Sequence, residues 1–202
     1  MKLLGSPASP FVRKVRALLA ETECSDKVEI EEVTSAVVGP IDELLSSTNP
    51  SGKIPALIRP EGPALYDSRV ICRYLDKTFR LGMYPKRGEF EMLTLEATAD
   101  AIMDAGVLMV YERRFRPENH QDPDWIEGQW RKVARSLDAL EARWMSHLAG
   151  PVDMSHLALG CALGYLDFRH GARAWRDGRP ALAGWAETFL ERPAMVATAP
   201  AG

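Results

Sequence analysis

The chain has few cysteines, and none of them is placed for a disulfide framework. Its three cysteines, Cys24, Cys72 and Cys161, lie far apart, form no C-x-x-C pair and are odd in number. This pattern argues against disulfides and favours a reducing compartment. Pro7 and Pro10 interrupt the first residues before an apolar stretch reaches the length of a signal-peptide core. We therefore expect no export and a cytoplasmic location.

Excess positive charge, long apolar runs and metal-ligand patterns are also absent from the sequence. The 25 Lys and Arg against 28 Asp and Glu leave a net charge of -3, which gives no reason to expect nucleic acid or an anionic membrane as a partner. No segment approaches the roughly 18 uninterrupted apolar residues that a membrane span needs. The four histidines show no pair at one-turn spacing, so we expect no metal. A small soluble ligand is the better expectation.

The first third of the chain alternates strand patterns and helix patterns. Residues 1–5 form a short apolar run, residues 11–21 place apolar side chains on one helical face, and residues 28–33 alternate Val or Ile with Glu. A helix that connects two strands of one sheet makes those strands parallel and the connection right-handed. The sequence therefore predicts a β-α-β unit.

Four further elements follow this unit. Residues 40–47 predict a short helix opened by a proline, residues 56–59 and 64–66 predict a hairpin around a Pro-Glu-Gly-Pro turn, and residues 68–82 return to helical spacing. The order β-α-β-α-β-β-α is the thioredoxin-like arrangement, a mixed sheet with helices on both faces. We predict such a domain over residues 1–80.

The rest of the chain is helical in pattern after a Pro-Lys-Arg-Gly linker. Apolar spacing predicts four helices, over residues 89–115, 124–148, 157–168 and 182–190. The third is apolar nearly all round, which is typical of a helix at the centre of its domain. We therefore predict an α/β protein in which an all-α helical-bundle domain, residues 88–202, follows the thioredoxin-like domain.

The junction between the first strand and the first helix is the sharpest local feature. Ser9 precedes Pro10 at the predicted helix start, where backbone N–H groups are unpaired and carry a partial positive charge. Such a place favours an anion such as a thiolate. The alternative is that Ser9 is only the N-cap of this helix. Such a cap contributes about 1 kcal/mol to stability and explains a Ser before Pro equally well.

Two later junctions have a similar character. In the segment Asn-Pro-Ser-Gly-Lys-Ile-Pro, a proline that opens a strand is often cis and leaves the N–H and C=O of Ile54 free for an extended peptide ligand. The alternative is an ordinary proline, Pro55, at the start of an edge strand, with Lys53 in solvent. At the next strand-to-helix junction, Asp67 could pair with an ammonium group and Ser68 with a carboxylate, or either residue caps the helix.

Together the three junctions resemble the glutathione-binding half of the cytosolic glutathione S-transferases. The Ser-Pro-Phe-Val segment from Ser9 resembles the active-site motif of the serine-type classes, tau most closely and zeta more loosely. The helical half is similar too, for example at Asp100 and Asp104, so the resemblance extends from Met1 to about Pro200. These two acids, one turn apart, are expected at an interface or in solvent rather than as a catalytic pair. The features look most like a bacterial branch, the YibF type.

The resemblance implies a glutathione site in the first domain, without a metal. Ser9 would be the catalytic residue, because its hydroxyl would donate to the glutathione sulfur, and Ser6 is the reserve candidate. The positions that match the family's glutathione loops are Phe11, Lys53, Ile54, Pro55, Asp67 and Ser68. Ile54 would bind the cysteinyl backbone beside a cis Pro55, Lys53 would meet the glycyl carboxylate, and the last two positions would hold the γ-glutamyl end.

The resemblance also implies conjugation of glutathione to an electrophilic small molecule by a homodimer. The electrophile site would lie between the halves, with Val12, Val107 and Tyr111 as candidate pocket residues beside Phe11, although core packing explains them equally well. A fold does not fix a function. The alternatives are therefore a non-catalytic regulatory or binding protein of this fold, or a glutathione-dependent peroxidase. A thiol transferase would want Cys where Ser9 stands.

Two positions depart from the family pattern. The central helix of the family usually opens with a Ser or Thr cap followed three residues later by Asp, whereas this chain has Asp153 and His156. We expect Asp153 to cap the helix and its reciprocal acidic partner to be missing. Asp67 stands where most members carry Glu, so its contact with an ammonium group is expected to be longer or to pass through water.

Overall fold

The structure is a computed structural model that describes residues 1–35 and 37–201. The chain forms two compact units. One contains Met1–Pro85 together with the residues from Pro193 onward, and the other contains Lys86–Arg192. The sequence analysis assigned everything after residue 88 to one helical domain, whereas in the structure the residues from Pro193 onward group with the first unit.

Within the described residues, the first unit has a three-stranded mixed sheet. Its strands are β1 (Lys2–Gly5), β2 (Glu29–Glu32) and β3 (Ala56–Ile58), in the spatial order β2-β1-β3. β2 is parallel to β1 and β3 is antiparallel to it. The helices α1 (Pro10–Glu21), α2 (Glu43–Thr48) and α3 (Ser68–Phe79) complete the predicted thioredoxin-like order.

The predicted second strand of the hairpin, residues 64–66, is reduced to a single bridge. Leu57 and Leu65 exchange two backbone hydrogen bonds, at 2.8 and 2.9 Å. Pro63 has no N–H to extend the ladder on one side, and Asp67 already caps α3 on the other. The predicted strand is therefore wrong in extent, while the antiparallel return of the chain is confirmed.

Close contact between β1 and α1 determines where the first helix begins. Leu4 in β1 is completely buried, and so is the inner face of α1 at Val12 and Val15. A Cβ on Gly5 would lie 2.6 Å from Cγ1 of Val12, so a residue with a side chain would force the strand and the helix apart. The start of α1 is held directly at the end of β1.

The second unit is all-helical over the described residues. Its helices are α4 (Glu89–Phe115), α5 (Pro123–Arg143), α6 (Met145–Leu148), α7 (Met154–His170) and α8 (Pro180–Leu190). α7 is buried along most of its length and packs against α4, as its apolar sequence predicts. The predicted helix 124–148 is divided at Trp144, whose φ of -111° departs from the helical value of about -63°.

A last short helix, α9 (Pro193–Ala197), packs against α1. Nη2 of Arg13 donates to the carbonyl of Met195 at 3.0 Å. This contact between α1 and α9 explains why the end of the chain belongs to the first unit. No helix of the described residues is long and apolar enough to cross a membrane.

Candidate active site

Ser9 lies between β1 and α1 and is the N-cap of α1. Its φ and ψ of -80° and 123° are extended, Pro10 takes a first-turn position, and its Oγ accepts the N–H of Val12 at 3.3 Å. The N–H of Ser9 donates to the carbonyl of Ser6 at 3.1 Å. Both the backbone and the side chain of Ser9 are therefore fixed by the turn that precedes the helix.

The Ser9 hydroxyl keeps its donor group when it caps the helix. A serine hydroxyl has one O–H donor and two acceptor lone pairs, and capping uses only a lone pair. The residue is partly exposed, and the helix start adds a partial positive charge beside it. Capping and donation to a bound anion, which the sequence left as alternatives, are compatible in one side chain.

Ser6, the reserve candidate, has different surroundings. A depression of about 310 Å³ lies beside it at the end of β1, and among the described residues Ser9 does not line this depression. The lining residues are Gly5, Ser6, Pro7, Val12, Arg16, Ile30 and Glu32. Ser6 therefore lines this depression and Ser9 does not, although their backbones are hydrogen-bonded.

The loop before β3 carries Lys53, Ile54 and Pro55. The Ile54–Pro55 peptide bond is cis, as the family resemblance implies. The ladder between β1 and β3 ends at the pair Leu4 and Ala56, so Ile54 lies outside it. Ile54 is partly buried against the core of the unit, whereas the side chain of Lys53 is exposed. An extended peptide ligand could therefore pair with the main chain of Ile54.

Asn49 organises this loop, and the sequence analysis did not single it out. The side chain is buried, and its Nδ2 donates to the carbonyl of Lys53 at 2.7 Å. Its Oδ1 accepts the N–H and the O–H of Ser51 at 3.1 and 2.9 Å. An Asn followed by Pro-Ser-Gly is typical of a turn. The turn pattern does not show that the Asn side chain faces inward and holds the loop together.

Asp67 caps α3, and Ser68 is the first residue of that helix. Oδ1 of Asp67 accepts the N–H of Arg69 at 3.0 Å, and its Oδ2 lies 2.9 Å from Nη2 of Arg69. Burial raises the pKa of the Asp67 carboxyl, but hydrogen bonds from Arg69 and the charges of Arg69 and Lys14 hold that pKa below its usual value. Asp67 is therefore anionic at neutral pH.

The sheet topology brings the first two junctions together. Because β3 is antiparallel to β1, the start of β3 lies beside the end of β1, with Ala56 opposite Leu4. The charge of Lys14 on α1 also reaches Asp67 at the start of α3. Thus the predicted glutathione-binding residues all lie in the first unit, and the first two junctions lie at the same end of its sheet.

Comparison with known proteins identifies the family. Residues 3–82 match the model of the glutathione S-transferase N-terminal domain, and residues 123–188 match that of the C-terminal domain. The chain belongs to the glutathione S-transferase family.

Members of the family that resemble this chain match nearly all of its length. The "Uncharacterized GST-like protein YibF" of Escherichia coli K12 is 36% identical over 205 residues, 99% of this chain and 98% of the relative. A glutathione transferase family member from Pseudomonas fluorescens Pf-5, with bound glutathione, has a TM-score of 0.95 and 43% identity over 100% of this chain and 99% of that one. A Pseudomonas fluorescens Pf-5 structure with bound S-(propanoic acid)-glutathione has a TM-score of 0.88 and 40% identity, with both chains fully covered. These relatives support the YibF-type branch.

The candidate pocket residues differ in exposure. Val12 is buried and contributes mainly to the core, whereas Phe11 is partly buried. Val107 and Tyr111, one turn apart on α4, are also partly buried, and the Tyr111 ring packs edge-on against Phe115 at 5.4 Å. Contact of these four side chains with a ligand stays a prediction.

The start of α7 is a complete capping box. Oδ1 of Asp153 accepts the N–H of Ser155 at 2.9 Å, while Nδ1 of His156 lies 3.3 Å from the N–H of Asp153 and 2.9 Å from its Oδ1. His156 therefore supplies the reciprocal partner, and the expectation that this partner is missing is wrong. With its proton on Nε2, the imidazole accepts the backbone N–H as a carboxylate would, whereas with the proton on Nδ1 it donates to Oδ1 of Asp153 instead.

His147 extends the capping box into a cluster of titratable groups. Its Nε2 lies 3.1 Å from Oδ2 of Asp153 and 3.1 Å from Oγ of Ser155. Over the described residues, His147, Asp153 and His156 are the group whose donor atoms, all within 4.8 Å of one another, could hold a metal ion. Hydrogen bonds among them account for the arrangement without an ion.

Burial raises the pKa of Asp153, but hydrogen bonds from His156 and Ser155 and the histidine charges lower it to about 2.

Proposed function

We propose that the protein conjugates glutathione to electrophilic small molecules and that the Ser9 hydroxyl stabilises the glutathione thiolate. The O–H donates to the sulfur, and the start of α1 favours the negative charge. The bound thiolate then attacks the electrophile, aided by proximity. The observation that carries this proposal is that Ser9 caps α1 through an oxygen lone pair, at 3.3 Å, and so retains its O–H for a ligand.

The other junctions supply the rest of the glutathione site in this proposal. The main chain of Ile54, outside the β ladder, pairs with the cysteinyl backbone. The anionic Asp67 meets the ammonium group, and Ser68 at the start of α3 receives the γ-glutamyl carboxylate. The exposed Lys53 meets the glycyl carboxylate. Glutathione bound to a relative at 43% identity supports this assignment.

Conjugation is favoured over peroxide reduction by one observation on a relative. The Pseudomonas fluorescens structure at 40% identity holds S-(propanoic acid)-glutathione, a thioether of glutathione. A thioether is the class of product that attack of the thiolate on a carbon electrophile makes, whereas peroxide reduction oxidises glutathione at sulfur. We therefore propose a carbon electrophile as the substrate, with Val107 and Tyr111 as the candidate residues for its contact.

The test is titration calorimetry of glutathione and turnover of 1-chloro-2,4-dinitrobenzene by wild type and three variants. Ser9→Gly removes the hydroxyl and keeps most of the capping energy, because Gly costs only a few tenths of a kcal/mol at an N-cap. Ser9→Thr keeps the hydroxyl, and Ser6→Ala tests the reserve candidate. We expect wild type and Ser9→Thr to bind and turn over, Ser6→Ala to resemble wild type, and Ser9→Gly to bind glutathione with little turnover.

Other results would separate the alternatives. Failure of wild type to bind glutathione would favour the non-catalytic regulatory protein. Binding without conjugation, together with reduction of cumene hydroperoxide, would favour the peroxidase. Loss of turnover in Ser6→Ala but not in Ser9→Gly would move the catalytic hydroxyl to Ser6.

A further inference from the structure

The depression beside Ser6 lies wholly within the first unit and is lined by α1, β2 and the turn after β1. Its volume of about 310 Å³ is at the small end of the roughly 300–1,000 Å³ that is usual for small-molecule sites. Ile30 and Glu32 alternate along β2 and so share one face of the strand. Val12 and Arg16 are one helical turn apart and so share one face of α1. The depression is therefore built from two regular elements rather than from a loop alone.

Three polar side chains line the depression, and none of them has a partner in the described part of the chain. The hydroxyl of Ser6, the guanidinium of Arg16 and the carboxylate of Glu32 make no side-chain hydrogen bond or ion pair there. The opposite face of β2 differs, because Glu31 pairs with Lys2. Since Arg16 and Glu32 do not pair with each other, both charges are available to a ligand.

The rest of the lining is apolar. Ile30 is a large apolar side chain that is 46% exposed, and Pro7 and the buried Val12 contribute further apolar surface. A guanidinium binds a carboxylate through two parallel hydrogen bonds, and a carboxylate accepts hydrogen bonds from an ammonium group. The depression therefore offers one partner for an anion, one for a cation and an apolar surface for the remainder of a small molecule.

We propose that this depression binds a free α-amino acid with an apolar side chain. The carboxylate of the amino acid pairs with Arg16, its ammonium group pairs with Glu32, and its side chain packs on Ile30. The ligand carries one charge of each sign because the depression does. A ligand with a single charge leaves either Arg16 or Glu32 without a partner.

This site is separate from the proposed glutathione site. Among the described residues, neither Ser9 nor Ile54 nor Asp67 lines the depression. The two sites are linked through the backbone, because the N–H of Ser9 donates to the carbonyl of Ser6. The inference goes beyond the proposed function and does not depend on it. Glutathione and the amino acid should bind at the same time.

The experiment is titration calorimetry with three probes of similar shape. L-Leucine carries both charges, 4-methylpentanoate lacks the ammonium group, and 3-methylbutylamine lacks the carboxylate. We expect wild type to bind leucine about tenfold more tightly than either singly charged probe, since each of those loses one charged hydrogen bond. Failure of wild type to bind leucine, or equal binding of all three probes, would overturn the inference.

Two variants assign the charges to their residues. Arg16→Gln should weaken leucine and 4-methylpentanoate about tenfold and leave 3-methylbutylamine unchanged. Glu32→Gln should weaken leucine and 3-methylbutylamine and leave 4-methylpentanoate unchanged. The control is Glu31→Gln on the same strand, whose carboxylate pairs with Lys2, and it should change none of the three. A general loss of structure would weaken all three probes equally, and that result, or the same losses in the control, would contradict the assignment.

A repeat of the leucine titration with saturating glutathione distinguishes this site from the proposed function. We expect the same affinity for leucine with and without glutathione. Displacement of leucine by glutathione would place the depression in the glutathione site and overturn the inference. If leucine binds as expected but the protein neither binds glutathione nor conjugates it, the proposed function fails and the amino-acid site stands.

Discussion

The helix starts at Ser9 and at Asp153 are both capped by a side chain on extended backbone, but the two caps differ in how many contacts they make. At Ser9 the side chain makes one capping contact, at 3.3 Å, and stays partly exposed. At Asp153 the carboxylate contacts Ser155, His156 and His147 and is buried. A carboxylate has acceptors only, and here its neighbours use them, whereas a capping hydroxyl keeps a donor. The cap at Asp153 is saturated and stabilises the fold, whereas the cap at Ser9 keeps a donor, which our proposal assigns to the glutathione sulfur.

The largest expected effect is on folding, at the saturated cap. Asp153→Ala leaves the backbone N–H and the hydroxyl of the buried Ser155 without an acceptor, so we expect a loss of about 3 kcal/mol in the free energy of unfolding. The control is Asp122→Ala at the exposed cap of α5, where a loss of about 1 kcal/mol is expected. Urea unfolding measures both, and equal losses would show that the two caps do not differ.

The next effect is on catalysis, at the unsaturated cap. Ser9→Gly removes a donor to the developing thiolate, and we expect kcat/KM for conjugation to fall about a hundredfold. The free energy of unfolding should change by only a few tenths of a kcal/mol. Steady-state kinetics and urea unfolding of the same preparation check both. A variant that loses stability and keeps its activity would reverse the roles we assign to the two caps.

The pH dependence of stability should distinguish the two caps, because the Asp153 carboxyl titrates and the Ser9 hydroxyl does not. Because the pKa of Asp153 is lowered from 3.8 to about 2, its contribution to stability is present above about pH 4 and is lost as the pH falls toward 2. That contribution amounts to about 2 kcal/mol. Urea unfolding of wild type and Asp153→Asn between pH 5 and pH 2 should therefore show a difference that shrinks with falling pH. A constant difference would contradict the linkage.

The smallest effect refines the assignment at Ser9. Ser9→Ala removes both the hydroxyl donor and the cap, so we expect it to cost about 1 kcal/mol of folding stability, more than Ser9→Gly. Both variants should lose the same share of activity, because both lack the donor. If Ser9→Ala retained more activity than Ser9→Gly, backbone freedom at residue 9 rather than the hydroxyl would explain the loss.

The element order of the fold could be predicted from the sequence because period-two and helical apolar patterns are local. The predicted strand 64–66 is too long because Pro63 and the Asp67 cap limit it from both sides. The break at Trp144 gave no signal, since the apolar spacing runs through it without interruption. The packing of α9 on α1 depends on a contact between Arg13 and Met195, at opposite ends of the chain, which periodicity does not report.

The residues of the candidate site also fall into two groups, those that the sequence predicts and those that only the structure shows. Ser9, Ile54 and Asp67 could be predicted because they occupy junctions with local motifs. Asn49 was missed because its importance lies in the burial of its side chain, and burial depends on the folded loop. The role of His156 was missed because the usual capping pattern names an acidic or amide partner, although an imidazole accepts the same hydrogen bond.

The most direct test is the pKa of the thiol of bound glutathione, measured from thiolate absorbance against pH in wild type and Ser9→Gly. We expect the bound thiol to titrate below its pKa in solution in wild type, and to return toward the solution value in Ser9→Gly while glutathione still binds. Each unit of that shift corresponds to about 1.4 kcal/mol of preference for the thiolate. The same lowered thiol pKa in both proteins would contradict the role of the Ser9 hydroxyl.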